Sequence, residues 1–110
     1  MKFDVELSGE DSAVIRANGR LNLMSAPDLK HLVTGIVQGD GRPNVVVDLA
    51  EIDFVDSTGL GALVFGLKTA RAAGGDLRIA RPGKQIKMVL QLTSLDRILE
   101  PHDTVEECFE

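Results

Sequence analysis

The run Asp53-Phe54-Val55-Asp56-Ser57-Thr58-Gly59-Leu60-Gly61 gathers two carboxylates, two hydroxyls and two glycines where a β-branched stretch gives way to a helical period. An ordinary helix start needs fewer of these. Asp56 or Ser57 can accept hydrogen bonds from the first free N–H groups of the helix, which makes either one a cap. A hydroxyl on that first turn also sits where the macrodipole and the free N–H groups favour an added anion. Ser57 is therefore a candidate phosphoacceptor, with Thr58 beside it as the alternative. A phosphate adds about −1.5 to −2 charges, which the helix end tolerates and Asp56 repels. The expected result is an unchanged fold with an altered surface, and ~3 kcal/mol lost at a partner interface is about a hundredfold in affinity. Gly61 and Gly66 each cost roughly 1 kcal/mol inside a helix. Close approach by another backbone, from within the fold or from a partner, is the expected reason for them.

Other chemistries find less support. A hydrolase elbow needs Gly-x-Ser-x-Gly, but Val55 stands two residues before Ser57, and neither His31 nor His102 has a claim to be its base. Gly61 and Gly66 have the separation of a phosphate-cradling loop, yet Leu67-Lys68 follows where Lys and then Ser or Thr are required. The two histidines lack a cysteine or third histidine at ligand spacing, so no metal site is expected. Arg78, Arg81, Lys84 and Lys87 read as a solvated face. No enzyme activity and no cofactor are expected.

The rest of the chain must position this segment. At 110 residues there is room for one domain, spanning 1–110, and one core. Apolar residues at 44% and charged residues at 26% argue for a folded chain. The net charge of −5, no Trp, no Tyr and only Phe3, Phe54, Phe65 and Phe109 as aromatics argue against a nucleic-acid binder. The acidity has a local aspect, because Asp48, Glu51, Asp53 and Asp56 are expected to surround the approach to Ser57. A lone Cys108 and an N-terminus without signal-peptide pattern point to a reducing, cytoplasmic location. The longest apolar stretch, Leu60 to Leu67, is far short of the ~18 residues that cross a bilayer, so no membrane insertion is expected.

Phe3, Val5 and Leu7 alternate with polar residues and Ala13 to Ala17 continue after Gly9-Glu10-Asp11, a β-hairpin signal. Ser25 as cap, Pro27 in the first turn and Asp28 open a helix striped by Leu29, Leu32, Val33, Ile36 and Val37 and closed by Gly39 and Gly41. Asn44 to Leu49 suits a strand buried on both faces, and Ile52, Phe54 and Val55 fall in a short connection. Leu60, Leu63, Val64 and Leu67 stripe a helix from Ser57 to about Ala72, closed by Gly74-Gly75. Phe65 and Met88 lie off the apolar stripes of their helices and suit either a partner contact or a second buried side. Leu77 to Ala80 form a strand, Ile86, Val89 and Leu90 a helix ending near Ser94, Ile98-Leu99 an edge strand, and Asp103 to Glu106 a capped terminal helix. The order implies an α/β fold, a mixed four- to five-stranded sheet that opens with a β-hairpin and carries about four packed helices.

Val45-Val46-Val47-Asp48-Leu49, Phe54 to Gly61, Gly74-Gly75 and Thr104-Val105-Glu106-Glu107 together resemble the STAS-domain anti-sigma factor antagonists, or anti-anti-sigma factors, of bacteria. The resemblance covers nearly the whole chain, and Asp56-Ser57-Thr58-Gly59-Leu60 is its most specific part. It implies the STAS fold and Ser57 as a phosphoacceptor for an anti-sigma factor with a histidine-kinase-like ATP-binding fold. It further implies a partner surface that includes Asp53, Asp56, Ser57, Thr58, Gly59, Leu60 and Gly61, and a serine phosphatase that restores the binding form. The free protein is expected to be a monomer. Many members carry an acidic residue where this chain has Arg20 or Asn22, which bears on the identity of the kinase. The alternative within the same family is a non-switching accessory subunit of a lipid-transport or other membrane-associated complex. A small-ligand or nucleotide binder on the same fold is a third reading.

Overall fold

The computed structural model describes residues 2–109. Strand β1 (Lys2–Ser8) folds back on β2 (Ser12–Leu21), and helix α1 (Ala26–Thr34) follows, extended by a wider π turn over Gly35–Gly39. Strand β3 (Asn44–Val55), helix α2 (Ser57–Ala72), strand β4 (Asp76–Ala80) and helix α3 (Lys84–Leu92) come next, and the two-residue strand β5 (Pro101–His102) completes the sheet. The strands lie side by side in chain order; β1 and β2 are antiparallel and every later pair is parallel. The α/β architecture and the opening hairpin are as expected. The fourth helix is only a single 3-10 turn, Glu106–Phe109, in which Thr104 Oγ1 accepts from Glu107 N and Glu107 Oε2 accepts from Asp103 N.

Alternation along the strands sorts the side chains into two layers. Ala13 and Ile15 of β2, Val45, Val47 and Leu49 of β3, and Leu77 and Ile79 of β4 face Leu29 and Val33 of α1, Leu63 and Leu67 of α2, and Ile86 and Leu90 of α3. All three helices thus cover one face. On the other face Val14, Val46 and Ala80 are sealed by Cys108 and Val105. Burial pushes the Cys108 thiol up to about 11, so it is protonated at neutral pH.

Several expectations are corrected. β3 does not end at Leu49 but runs to Val55, so Ile52, Phe54 and Val55 belong to the strand. Between the pairs Arg16↔Asp48 and Asn18↔Glu51, and again between Gly19↔Ile52 and Arg20↔Phe54, β3 spends one residue more than β2. These irregularities shift the strand's inward face and hide it from a fixed period of two. The last strand is Pro101–His102 rather than Ile98-Leu99, because Leu95 O accepts from both Ile98 N and Leu99 N and winds that segment into a turn. Leu99 is instead a fully buried core residue. Ser25 does not cap α1 with its side chain; its hydroxyl donates to Arg20 O at 2.7 Å and accepts from Asn22 N, tying the end of β2 to the helix entrance.

Asp48 also departs from expectation. It is only 3% exposed, on the face away from the helices, and its carboxylate accepts from Arg81 through Nε and Nη2, with Arg16 Nε at 3.6 Å. Six residues of strand separate it from Val55, about 20 Å, so it takes no part in the approach to Ser57. Arg81 is likewise an ion-pair partner, and Arg78 Nη1 donates to Cys108 O at 2.8 Å; neither belongs to a merely solvated run. Burial raises the Asp48 pKa, but the hydrogen bonds from Arg81 and Ala50 N and the charges of Arg81 and Arg16 outweigh it, leaving the carboxyl below its ordinary value. A depressed folded pKa means stability that is present above about pH 4 and is lost as pH falls through the folded value. Urea midpoints are therefore expected to fall as pH drops below about 4. In Asp48→Asn that part of the decline should vanish, at a cost on the order of 2 kcal/mol at pH 7.

Candidate functional site

At the carboxyl end of β3 the chain turns directly into α2. Asp56 is extended in backbone and stands as the cap: Oδ1 accepts from Gly59 N at 2.8 Å, and Oδ2 accepts from Leu23 N at 3.3 Å. One carboxylate thus satisfies a free amide of α2 and holds the loop between β2 and α1 against it. The backbone repeats the link, since Asp56 N donates to Leu21 O at 3.2 Å. Of the two cap candidates, Asp56 has the role. Ser57, the first residue of α2, is exposed, and its Oγ has no hydrogen-bond partner among the described residues. Thr58 beside it is half-buried.

The glycines separate into different cases. A Cβ at Gly59 would fall inside the contact radius of the Leu21 carbonyl oxygen and 2.7 Å from its carbon, so the α2 entrance and the end of β2 are in backbone contact there. At Gly66 the neighbours are side chains, Leu77 and Val33. Gly61 has open space where a side chain would be; nothing inside the fold requires it. Gly61→Ala is expected to stabilise the free protein by about 0.5–1 kcal/mol, read as a higher urea midpoint with an unchanged slope.

Gly61 belongs to a groove. Ser57, Leu60, Gly61, Val64, Phe65 and Lys68, on one side of α2, and Leu95, from the turn after α3, line a shallow apolar depression of about 370 Å³. Phe65 forms its rim, 39% exposed, with the Lys30 ammonium 5.5 Å over its ring, so it is a surface residue rather than a second buried side. Met88 is also exposed, on α3. Of the other singled-out residues, Leu60 is buried in the core and Asp53 is exposed on β3. The structure therefore brings Asp56, Ser57, Thr58, Gly59, Leu60 and Gly61 together over one turn of helix, with Asp53 three residues ahead of the cap.

Two features escaped the reading of the sequence. Leu23 and Met24, 67% and 84% exposed, project from the loop that Asp56 holds; two apolar residues just before a helix start were the available sign. The Arg20 guanidinium stacks 5.2 Å over Phe54, its partner across the β2–β3 ladder. Among the described residues no group of three or more His, Cys, Asp or Glu is gathered to hold a metal ion, and no helix is long and apolar enough to cross a membrane.

A mixed sheet with its helices on one face and a capped, serine-led helix at the end of the third strand defines a known class. The family model described as "STAS domain" matches residues 3–108, and the chain belongs to that family. More particularly, it is 31% identical over 101 residues to a Thermotoga maritima protein provisionally named an anti-sigma factor antagonist, covering 92% of this chain and 89% of the relative. A Staphylococcus aureus anti-sigma-B factor antagonist is 26% identical over 107 residues, covering 96% and 98%. A crystal structure of a Thermotoga maritima protein of the same provisional name superposes with a TM-score of 0.88 at 29% identity, covering 97% of this chain and 91% of that one.

Proposed function

We propose that this protein is an anti-sigma factor antagonist whose binding is switched by phosphorylation of Ser57. The observation that carries the reading is the division of labour at the start of α2: Asp56 takes the cap, which leaves the Ser57 hydroxyl exposed on the first helical turn with no hydrogen-bond partner among the described residues. The names of the sequence relatives support the class of partner. In its unmodified form the chain docks on an anti-sigma factor with a histidine-kinase-like ATP-binding fold, using Asp53 to Gly61 and the exposed side of α2, and the sigma factor is released. Transfer of the terminal phosphoryl group of ATP forms the Ser57 Oγ–P bond, breaks the bond to the β-phosphate, and releases ADP and the hydroxyl proton. The dianion stays near the free amides of the first turn, so the fold persists. A serine phosphatase reverses the step by hydrolysis. The protein is then the cytoplasmic, monomeric substrate of another protein's catalysis and needs no cofactor.

Incubation with ATP and a kinase-fold anti-sigma factor from the same genome, followed by mass-spectrometric mapping, tests this. A single phosphate on Ser57, absent from Ser57→Ala, is expected. Modification of Thr58 alone, or none with any such partner, would sink the reading.

A further inference from the structure

We infer that Gln85, on the first turn of α3, is a positioning residue for the segment that presents Ser57. β4 pairs with β3 only from Asn44 to Asp48, so the last part of β3 has no strand on that side. Val55 is the final residue of β3, and because Asp56 N bonds across to Leu21 O, the N–H and C=O of Val55 point away from β2, toward the vacant side. Unpaired groups there would be a defect at the point where the chain enters the site. Gln85 fills it with a single amide: Val55 N donates to Gln85 Oε1 at 3.0 Å, and Gln85 Nε2 donates to Val55 O at 3.0 Å. The carboxamide behaves as one residue of a missing strand, since an uncharged amide carries both the acceptor and the donor that this requires at every pH.

The residue held is the one before the Asp56 cap. From the β2 side Leu21 O grips Asp56 N, and from the α3 side Gln85 grips Val55, so the strand-to-helix junction is fixed from two directions. The proposal rests on the reading of Ser57 for its functional consequence, while the hold on Val55 stands independently of it.

Two substitutions in the full chain test both parts. Gln85→Met keeps the length of the side chain and removes both hydrogen bonds. Its Val55 amide is expected to exchange with deuterium at least tenfold faster, the Gly59 amide severalfold faster, and Ser57 phosphorylation by the kinase-fold partner to slow about tenfold. Gln85→Glu supplies a titration that simple packing would not show. Ionised, the carboxylate accepts from Val55 N but faces Val55 O without a proton; protonated, it donates again. The carbonyl carbon resonance of Val55 should then move toward the wild-type position as pH falls through about 4–5, and the difference between variant and wild type at each pH separates this from any effect of the neighbouring Asp56 carboxylate. Unchanged Val55 exchange in Gln85→Met, or a constant offset between the Val55 carbonyls of Gln85→Glu and wild type across that pH range, overturns the proposal. Equal phosphorylation rates for wild type and Gln85→Met also overturn it. A wild-type chain that takes no phosphate defeats the reading of Ser57 instead, and the exchange and titration results then decide the role of Gln85 alone.

Discussion

Ser57→Asp is expected to bind the anti-sigma factor about a hundredfold more weakly than wild type, and Ser57→Ala to stay within about threefold. Ser57 opens onto a groove whose walls are Leu60, Val64, Phe65 and Leu95, and the same end of the molecule exposes Leu23 and Met24. A partner that covers this surface must strip water from whatever occupies position 57. For a hydroxyl or a methyl group that cost is small, whereas a carboxylate beside Asp56 arrives with repulsion and an unpaired charge to desolvate. A net loss of ~3 kcal/mol corresponds to the stated factor. Titration calorimetry of the two variants against one anti-sigma factor measures it, and equal affinities for alanine and aspartate would remove the electrostatic basis of the switch.

The largest effect on stability is expected from Gly59→Ala, at about 3 kcal/mol or more. The added methyl would strike main-chain atoms of Leu21, which cannot rotate aside as a side chain can. Relief requires α2 to withdraw from β2, which strains the Asp56 N to Leu21 O bond and the cap between Asp56 and Gly59. For a domain of this size the loss corresponds to a fall in Tm of over 10 °C. Gly61→Ala, two residues away on the same helix, is expected to change stability in the opposite sense. If both alanine variants unfold at the same urea concentration, the close contact between α2 and β2 is not what holds Gly59.

Both ends of α2 were legible because their signals are local: a capping carboxylate or hydroxyl, a β-to-helix change of period, and Gly74 after the last turn. The three main helices and the hairpin were legible for the same reason. Local signals failed where long-range geometry decides. The continuation of β3 past Leu49 depends on register shifts against β2, and Ala50 and Glu51, both exposed, interrupt the apolar run that marks the strand. Asp48 was expected among the carboxylates around the approach to Ser57, and its pairing with Arg81, 33 residues away, is invisible to local spacing. The reason for Gly59 is a carbonyl on another strand, and the role of Gln85 belongs to a helix that nothing in the spacing ties to Val55. The open space at Gly61 was equally invisible, since only the packed molecule separates a glycine crowded by its own fold from one that faces outward.

The sheet is laid down in chain order, each strand beside the one before it. A ribosome therefore delivers every strand next to an edge that already exists, and no early strand must be parted to admit a late one. Ser57, however, emerges 28 residues before Gln85, roughly 1–6 s at ordinary rates of synthesis. During that interval the nascent chain carries the hydroxyl without the amide that steadies its approach. Competence for modification is thus expected to lag behind the appearance of Ser57 itself and to arrive only when α3 has been made.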